Sequence, residues 1–245
     1  MSASTIIGML STQLGHSPKG TTTDALNERN SHILKLMKVL ETHDAAEQKI
    51  LKDESRSQSG KLDALKRIGA DETTPSLRWL RRVIEDRKAK DEGYRTRFFT
   101  ITSGIDNAVE RLLTFTYLWT QFDALDHSRR VTKFIEASEQ DQVVILAAML
   151  ENPLGPLVNE DVKTAALTER AKRLFPQQVE NYEQNQILLE FLVMTRDWIG
   201  RWLAVEVGVP IQTIRTNLGD EMADALTTQT TGLPQPDTQP AGTSA

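Results

Sequence analysis

The sequence predicts an all-α fold: a long polar, coiled-coil-like N-terminal helical segment, a helical bundle core and a disordered C-terminal tail. Three observations predict it. Apolar residues recur at alternating steps of four and three, most regularly through Tyr94, Phe98, Ile101, Ile105, Ala108, Leu112, Phe115, Trp119 and Phe122, the period of an amphipathic helix. Capping residues and helix breakers punctuate the chain where helices of ordinary length would begin and end. No alternating apolar–polar run of strand length occurs.

The first segment, 1–23, reads as a flexible peptide. Ile6, Leu10 and Leu14 repeat at helical spacing, and Gly15, Ser17, Pro18, Gly20 and Thr21 to Thr23 follow as linker. It suits either a frayed terminus or a docking peptide for a partner groove. The next, 24–70, reads as an extended helical segment capped by Thr23 or Asp24. Leu26, Ile33, Met37 and Leu40 share one face, and Leu51, Leu62, Leu65 and Ile68 follow. Residues 52–61 carry no apolar side chain, which means a solvated helix or a break at Gly60. So thin a seam buries too little apolar surface to offset chain entropy. Partner helices are the simplest remedy, and Ile33, Met37 and Leu40 are the candidate partner-binding residues.

Gly69 closes that segment, and Pro75 opens a helical core domain over 75–226. Leu77, Trp79, Leu80, Val83 and Ile84 start it, and the long period from Tyr94 follows, with Gly93 and Gly104 as weak points. Asp126 to Ser128 is a turn before a short helix through Val131, Phe134 and Ile135. Ser138 can cap a helix carrying Val143 to Leu150. Asn152, Pro153, Gly155 and Pro156 make a rigid loop. Asn159 caps a helix to Leu174, and Glu160 and Asp161 offset its dipole. Pro176 begins another helix, ended by Gly208–Val209–Pro210, and short helical pieces follow at 211–218 and 221–226. Residues 227–245, rich in Thr, Gln, Pro and Gly, read as a disordered tail.

The 245 residues and 27.5 kDa suffice for a sizeable core without disulfides or structural metal. The net charge of −5, from 29 basic and 34 acidic residues, argues against a protein that coats nucleic acid with its whole surface. The absence of cysteine excludes disulfides, thiolate metal sites and cysteine nucleophiles. The apolar run at Ile6 to Leu10 is too short for a signal-peptide core. The richest stretch, Ile187 to Val209, is interrupted by Glu190, Arg196, Asp197, Arg201 and Glu206, which a bilayer centre disfavours. The expectation is a soluble protein with no membrane partner, cytoplasmic, or in the virion if phage-encoded.

Sites of chemistry are sparse. His16, His32, His43 and His127 form no metal-binding frame. His32 and His43 are eleven residues apart, about 16 Å along a helix, and are expected to be solvated surface histidines. Gly15 to Gly20 has the glycine spacing of a phosphate loop, but Lys19 precedes the second glycine and Thr21 follows it, so the lysine such a loop needs is missing. Neither a Gly-x-Ser-x-Gly elbow nor a Gly-x-Gly-x-x-Gly fingerprint occurs. No cofactor, metal or catalytic residue is expected. A basic cluster is more informative. Arg78, Arg81, Arg82, Arg87, Lys88, Lys90, Arg95 and Arg97 face only Glu85, Asp86, Asp91 and Glu92, a local net of +4. It is either a surface for an acidic partner or for nucleic acid, with Arg78, Arg81 and Arg82 as its binding residues, or a salt-bridged solvated helix.

Residues 200–219 carry Ala204 at a small-residue position, Gly208 at a turn between Val207 and Val209, and Leu203, Ile214 and Leu218 at core positions. This segment resembles the helix-turn-helix signature of bacterial and phage DNA-binding proteins. The resemblance implies that Gln212, Thr213, Arg215 and Thr216 face the major groove, with Arg215 contacting guanine or phosphate. The same pattern also fits an ordinary corner closing a helical bundle.

The function expected is that of a non-catalytic helical assembly or scaffold protein, acting through helix-mediated oligomerisation or partner binding, for instance in a phage or bacterial multi-subunit particle. The partner is a protein or a second copy of the chain. The alternative is a DNA-binding regulator using 200–219. A third class, an enzyme with an unrecognised site, would reveal itself as a concave polar pocket.

Overall fold

The computed structural model of the protein describes residues 2–231 except 154 and 156, and among them the chain is all-α, with no strand. Two units form. One combines the described residues up to Arg87 with those from Ile187 onward; the other is Lys88–Gln186. The boundaries expected near 70–75 and 226 are therefore not those observed. The N- and C-terminal helices share a single core, a long-range pairing that helical periodicity does not encode.

In the first unit, Ser2 Oγ accepts from the Thr5 N–H at 3.2 Å and starts α1 (Ala3–Gln13). Ile6 and Leu10 lie on one face of it, and both are fully buried. Thr22 Oγ1 accepts from the Ala25 N–H and caps α2 (Thr23–Leu51), one residue before the predicted cap. Steps of three and four put Ile33, Leu36 and Leu40 in the same core as Ile6 and Leu10. Buried Arg29 fastens the intervening loop. Its guanidinium donates to the His16 carbonyl at 2.6 Å and to Gln13 Oε1 at 2.5 Å, and lies over the Phe191 ring. The expectation of a flexible peptide over 1–23 is thus corrected: its apolar stripe supplies the cover that α2 needs.

The apolar gap over 52–61 is a turn. Asp53 accepts from the Ser55 N–H and from Arg56 Nε, and Ser57 Oγ accepts from the Gly60 N–H to cap α3 (Gln58–Ile68). Residues 24–70 are therefore a helical hairpin, broken before Gly60 because Asp and Ser side chains compete for the backbone donors. A π-turn follows at Gly69–Thr73, then α4 (Thr74–Ser76) and α5 (Arg78–Phe99). The C-terminal part brings α10 (Pro176–Trp202), a second π-turn at Leu203–Val207, left-handed Gly208, α11 (Ile211–Leu218) and α12 (Asp220–Thr231). Helix α12 carries residues 227–231, which were expected in the tail; the rest of that tail lies outside the described residues. Leu77, Leu80, Leu192, Ile199, Leu203, Ile214 and Leu218 complete the core.

In the second unit, α5 ends at Phe99, so the long period from Tyr94 to Phe122 is two helices rather than one rod. Between them Gly104 takes a left-handed conformation, and the loop buries Ile101. Asn107 Oδ1 accepts from the Val109 and Glu110 N–H groups and opens α6 (Ala108–Asp123). Asp126 caps α7 (His127–Glu139), and Asn159 caps α9 (Glu160–Leu174) as predicted. Ser138 caps nothing: it lies inside α7, buried, and donates to the Ala166 carbonyl, and α8 (Val143–Leu150) begins after Gln142. Phe115, Phe122, Phe134, Leu146, Met149 and Leu167 form the core. Trp119 Nε1 donates to the Ala148 carbonyl at 2.7 Å.

Candidate functional site

Helix α6 is apolar on two faces. Phe115 and Phe122 point into the core of the second unit, with Leu118 and Trp119 half-buried beside them. On the other face, Val109 is 67% exposed, Leu112 59%, Leu113 66% and Tyr117 64%. Single exposed leucines are ordinary; a contiguous strip of large apolar side chains on one helix is not. Val109, Leu113 and Tyr117 are spaced by four, so they line up along the helix. Thr116 and Thr120 continue the strip, and their hydroxyls donate to the Leu112 and Thr116 carbonyls. With those protons spent on the helix backbone, the hydroxyl donor the strip still presents is the Tyr117 phenol.

Glu110 and Arg111 are the sole charges between 108 and 122. Both are exposed, and neither forms an ion pair among the described residues. The strip is thus neutral and carries one charge of each sign at one end. Sequence reasoning placed Leu112 on the core-facing period and passed over Val109, Leu113 and Tyr117. The signal was present: a helix apolar nearly all round is either buried on every side or has a second face to cover.

The residues singled out as a partner seam behave otherwise. Ile33 and Leu40 are fully buried, and Met37 is packed half-buried against the same core. That expectation is corrected, because α1 and the C-terminal helices fill the place given to a partner. The basic cluster is largely engaged. Arg78 Nε donates to Asn217 Oδ1 at 2.9 Å. Arg81 bridges Glu85 at 2.7 Å and donates to the Thr216 carbonyl. Arg87 pairs with Glu28. Arg82 remains exposed.

Residues 200–219 make a helix, a π-turn, a left-handed glycine and a second helix, with Leu203, Ile214 and Leu218 buried. Gln212 and Thr216 are exposed, and Thr213 is half-buried. Arg215 is held between Asp220 at 3.2 Å and Asp224 at 2.8 Å.

The histidines differ from expectation too. His43 is buried, meets Trp202 edge-on at 4.8 Å between ring centroids, and shares a 2.7 Å hydrogen bond between Nδ1 and Thr73 Oγ1. Burial pushes its pKa below the usual histidine value, with Asp44 pulling weakly the other way. His32 is half-buried and stacks on Trp79. The inward turns of α2 that carry both rings face other helices of the same chain. Among the described residues no cluster of three or more His, Asp or Glu side chains could hold a metal, and no helix is long and apolar enough to cross a membrane. Comparison of the chain with known protein families, with curated proteins and with solved structures gave no match.

Proposed function

We propose that this protein is a non-catalytic helical association module that pairs with a second copy of itself through the exposed strip of α6. The supporting observation is the row Val109, Leu112, Leu113 and Tyr117, each about two-thirds exposed on a helix whose opposite face is already in a core. Four side chains of this size present on the order of 400 Å² of largely apolar surface. Two such strips, with Thr116 and Thr120, bury about 1,000 Å² together, the lower edge of specific interfaces, so the association is weak and concentration-dependent.

A second copy fits better than an acidic or basic partner because the strip complements itself. In an antiparallel, two-fold pairing, the end of one copy that carries Glu110 and Arg111 comes to the uncharged Thr120 end of the other, so no like charges are brought together. The non-catalytic part of the reading draws on the sequence, which holds neither nucleophile-elbow nor dinucleotide motif. Sedimentation equilibrium from low to several hundred micromolar tests the proposal. The wild type is expected to shift from monomer to dimer, and Leu113→Asp to stay monomeric. Leu62→Asp, at an exposed leucine of α3, is expected to pair as the wild type does. A wild type that stays monomeric throughout overturns the reading.

The exposure of Gln212 and Thr216 favours a second reading, duplex DNA binding through 200–219. Phosphate contact needs uncommitted cations, and Arg215 is engaged by two aspartates. Salt-dependent binding to a duplex that is lost in Arg215→Ala would establish that reading instead.

A further inference from the structure

In the first unit a cleft of about 420 Å³ opens between one stripe of α2 and the stretch from Ile68 to Ser76. Its two walls differ chemically. Helix α2 contributes Lys35 and Lys38. Neither forms an ion pair among the described residues, and the Lys35 ammonium rests 4.1 Å from the centre of the Trp79 ring. The opposite wall contributes Glu72, which also pairs with no cation among the described residues, although it lines the same cleft as the two lysines.

Ser76 Oγ donates to the Glu72 carbonyl at 2.7 Å, so its hydroxyl can only accept from a ligand. The wall beside Glu72 therefore offers acceptors, and the lysine wall offers charged donors. Half-buried Val39 and Ile68 provide apolar surface in the same cleft. At the back, His43 and Thr73 satisfy one another.

The cleft is also held in shape. Thr73 ends the first π-turn, where Thr74 Oγ1 donates to the Gly69 carbonyl at 2.5 Å, and Gly69 is wedged against Val207 and Val209. Such π-turns are uncommon and recur at functional sites.

We propose that this cleft binds a small aliphatic amino carboxylate, its carboxylate on Lys35 and Lys38, its ammonium on Glu72, and its hydrocarbon part on Val39 and Ile68. Opposite charges that share a cleft without meeting are complementary to a zwitterion, and the apolar surface selects an aliphatic body.

Calorimetric titration of the full chain tests this with three probes of one skeleton: L-leucine, 4-methylpentanoate, which lacks the amine, and isoamylamine, which lacks the carboxylate. Leucine is expected to bind at one site, and each analogue about tenfold more weakly. Glu72→Gln should erase leucine's advantage over the carboxylate, and Lys38→Gln, which leaves Lys35 in place, should reduce its advantage over the amine. Both side chains are exposed, so both variants should melt with the wild type. Absence of leucine binding at tens of millimolar, equal binding of all three probes, or variants that bind leucine as the wild type does would each overturn the proposal. The α6 strip lies in the other unit, so the same titration on Leu113→Asp should be unchanged, and failure here leaves the association reading standing.

Discussion

Gly69 in the first π-turn lies so close to Val207 in the second that a β-carbon on the glycine would fall 2.6 Å from Val207 Cγ1 and 2.7 Å from Val209 Cγ2. The two irregular turns are packed backbone to side chain, which no residue but glycine permits at 69. Gly69→Ala is expected to destabilise the protein by about 1–3 kcal/mol through overpacking. Denaturant unfolding of Gly69→Ala, Val207→Ala and the double variant checks it. The double variant should lose less than the two single losses combined, and full additivity would place the strain elsewhere.

The burial of Ile6 and Leu10 makes α1 part of the core rather than an appendage. Ile6→Ala is expected to cost about 2–5 kcal/mol, the range for emptying a packed aliphatic site. A change in stability below half a kilocalorie per mole, about the scale of a surface substitution, would mean that the peptide is free in solution.

Asp141 holds a left-handed backbone (φ 54°) while its carboxylate receives buried Arg170 at 2.5–2.8 Å. The ion pair and the backbone strain oppose one another at one residue. Asp141→Ala loses the pair and keeps the strain; Asp141→Gly loses the pair and relieves it. Both are expected to be less stable than the wild type, with the alanine variant lower by about 1 kcal/mol. Equal melting of the two variants would remove strain from the account.

Burial lowers the pKa of His43 in the folded chain below its unfolded value of about 6.5. The unfolded chain therefore takes up this proton first as the pH falls. The stability that rests on neutral His43 is complete above about pH 6.5 and declines as the pH drops from there toward the lowered folded value. His32, lowered chiefly by burial against the opposing pull of Glu28, acts in the same direction. Unfolding free energies of wild type and His43→Gln, measured from about pH 7.5 to about 5.5, should converge toward the acidic end. A gap that stays constant across that range would show that His43 does not titrate in this window.

The sequence by itself determined the helical class and many helix ends. Asn159 caps α9 and Pro176 opens α10 because the side-chain oxygen and the fixed φ act within one turn of the chain. It also determined which side chains share a face, as with Ile33, Met37 and Leu40, since spacing alone fixes that. What only the tertiary structure decided is which face is covered and by what. The seam of α2 meets α1 from its own chain, and the strip of α6 meets nothing among the described residues. Periodicity describes a helix one turn at a time. Cover is set by contacts between segments far apart in sequence, such as Arg29 over Phe191 or Gly69 against Val207. Those contacts depend on side-chain volumes fitting across a core, and a stripe of apolar residues reads the same whether its partner is inside the chain or outside it.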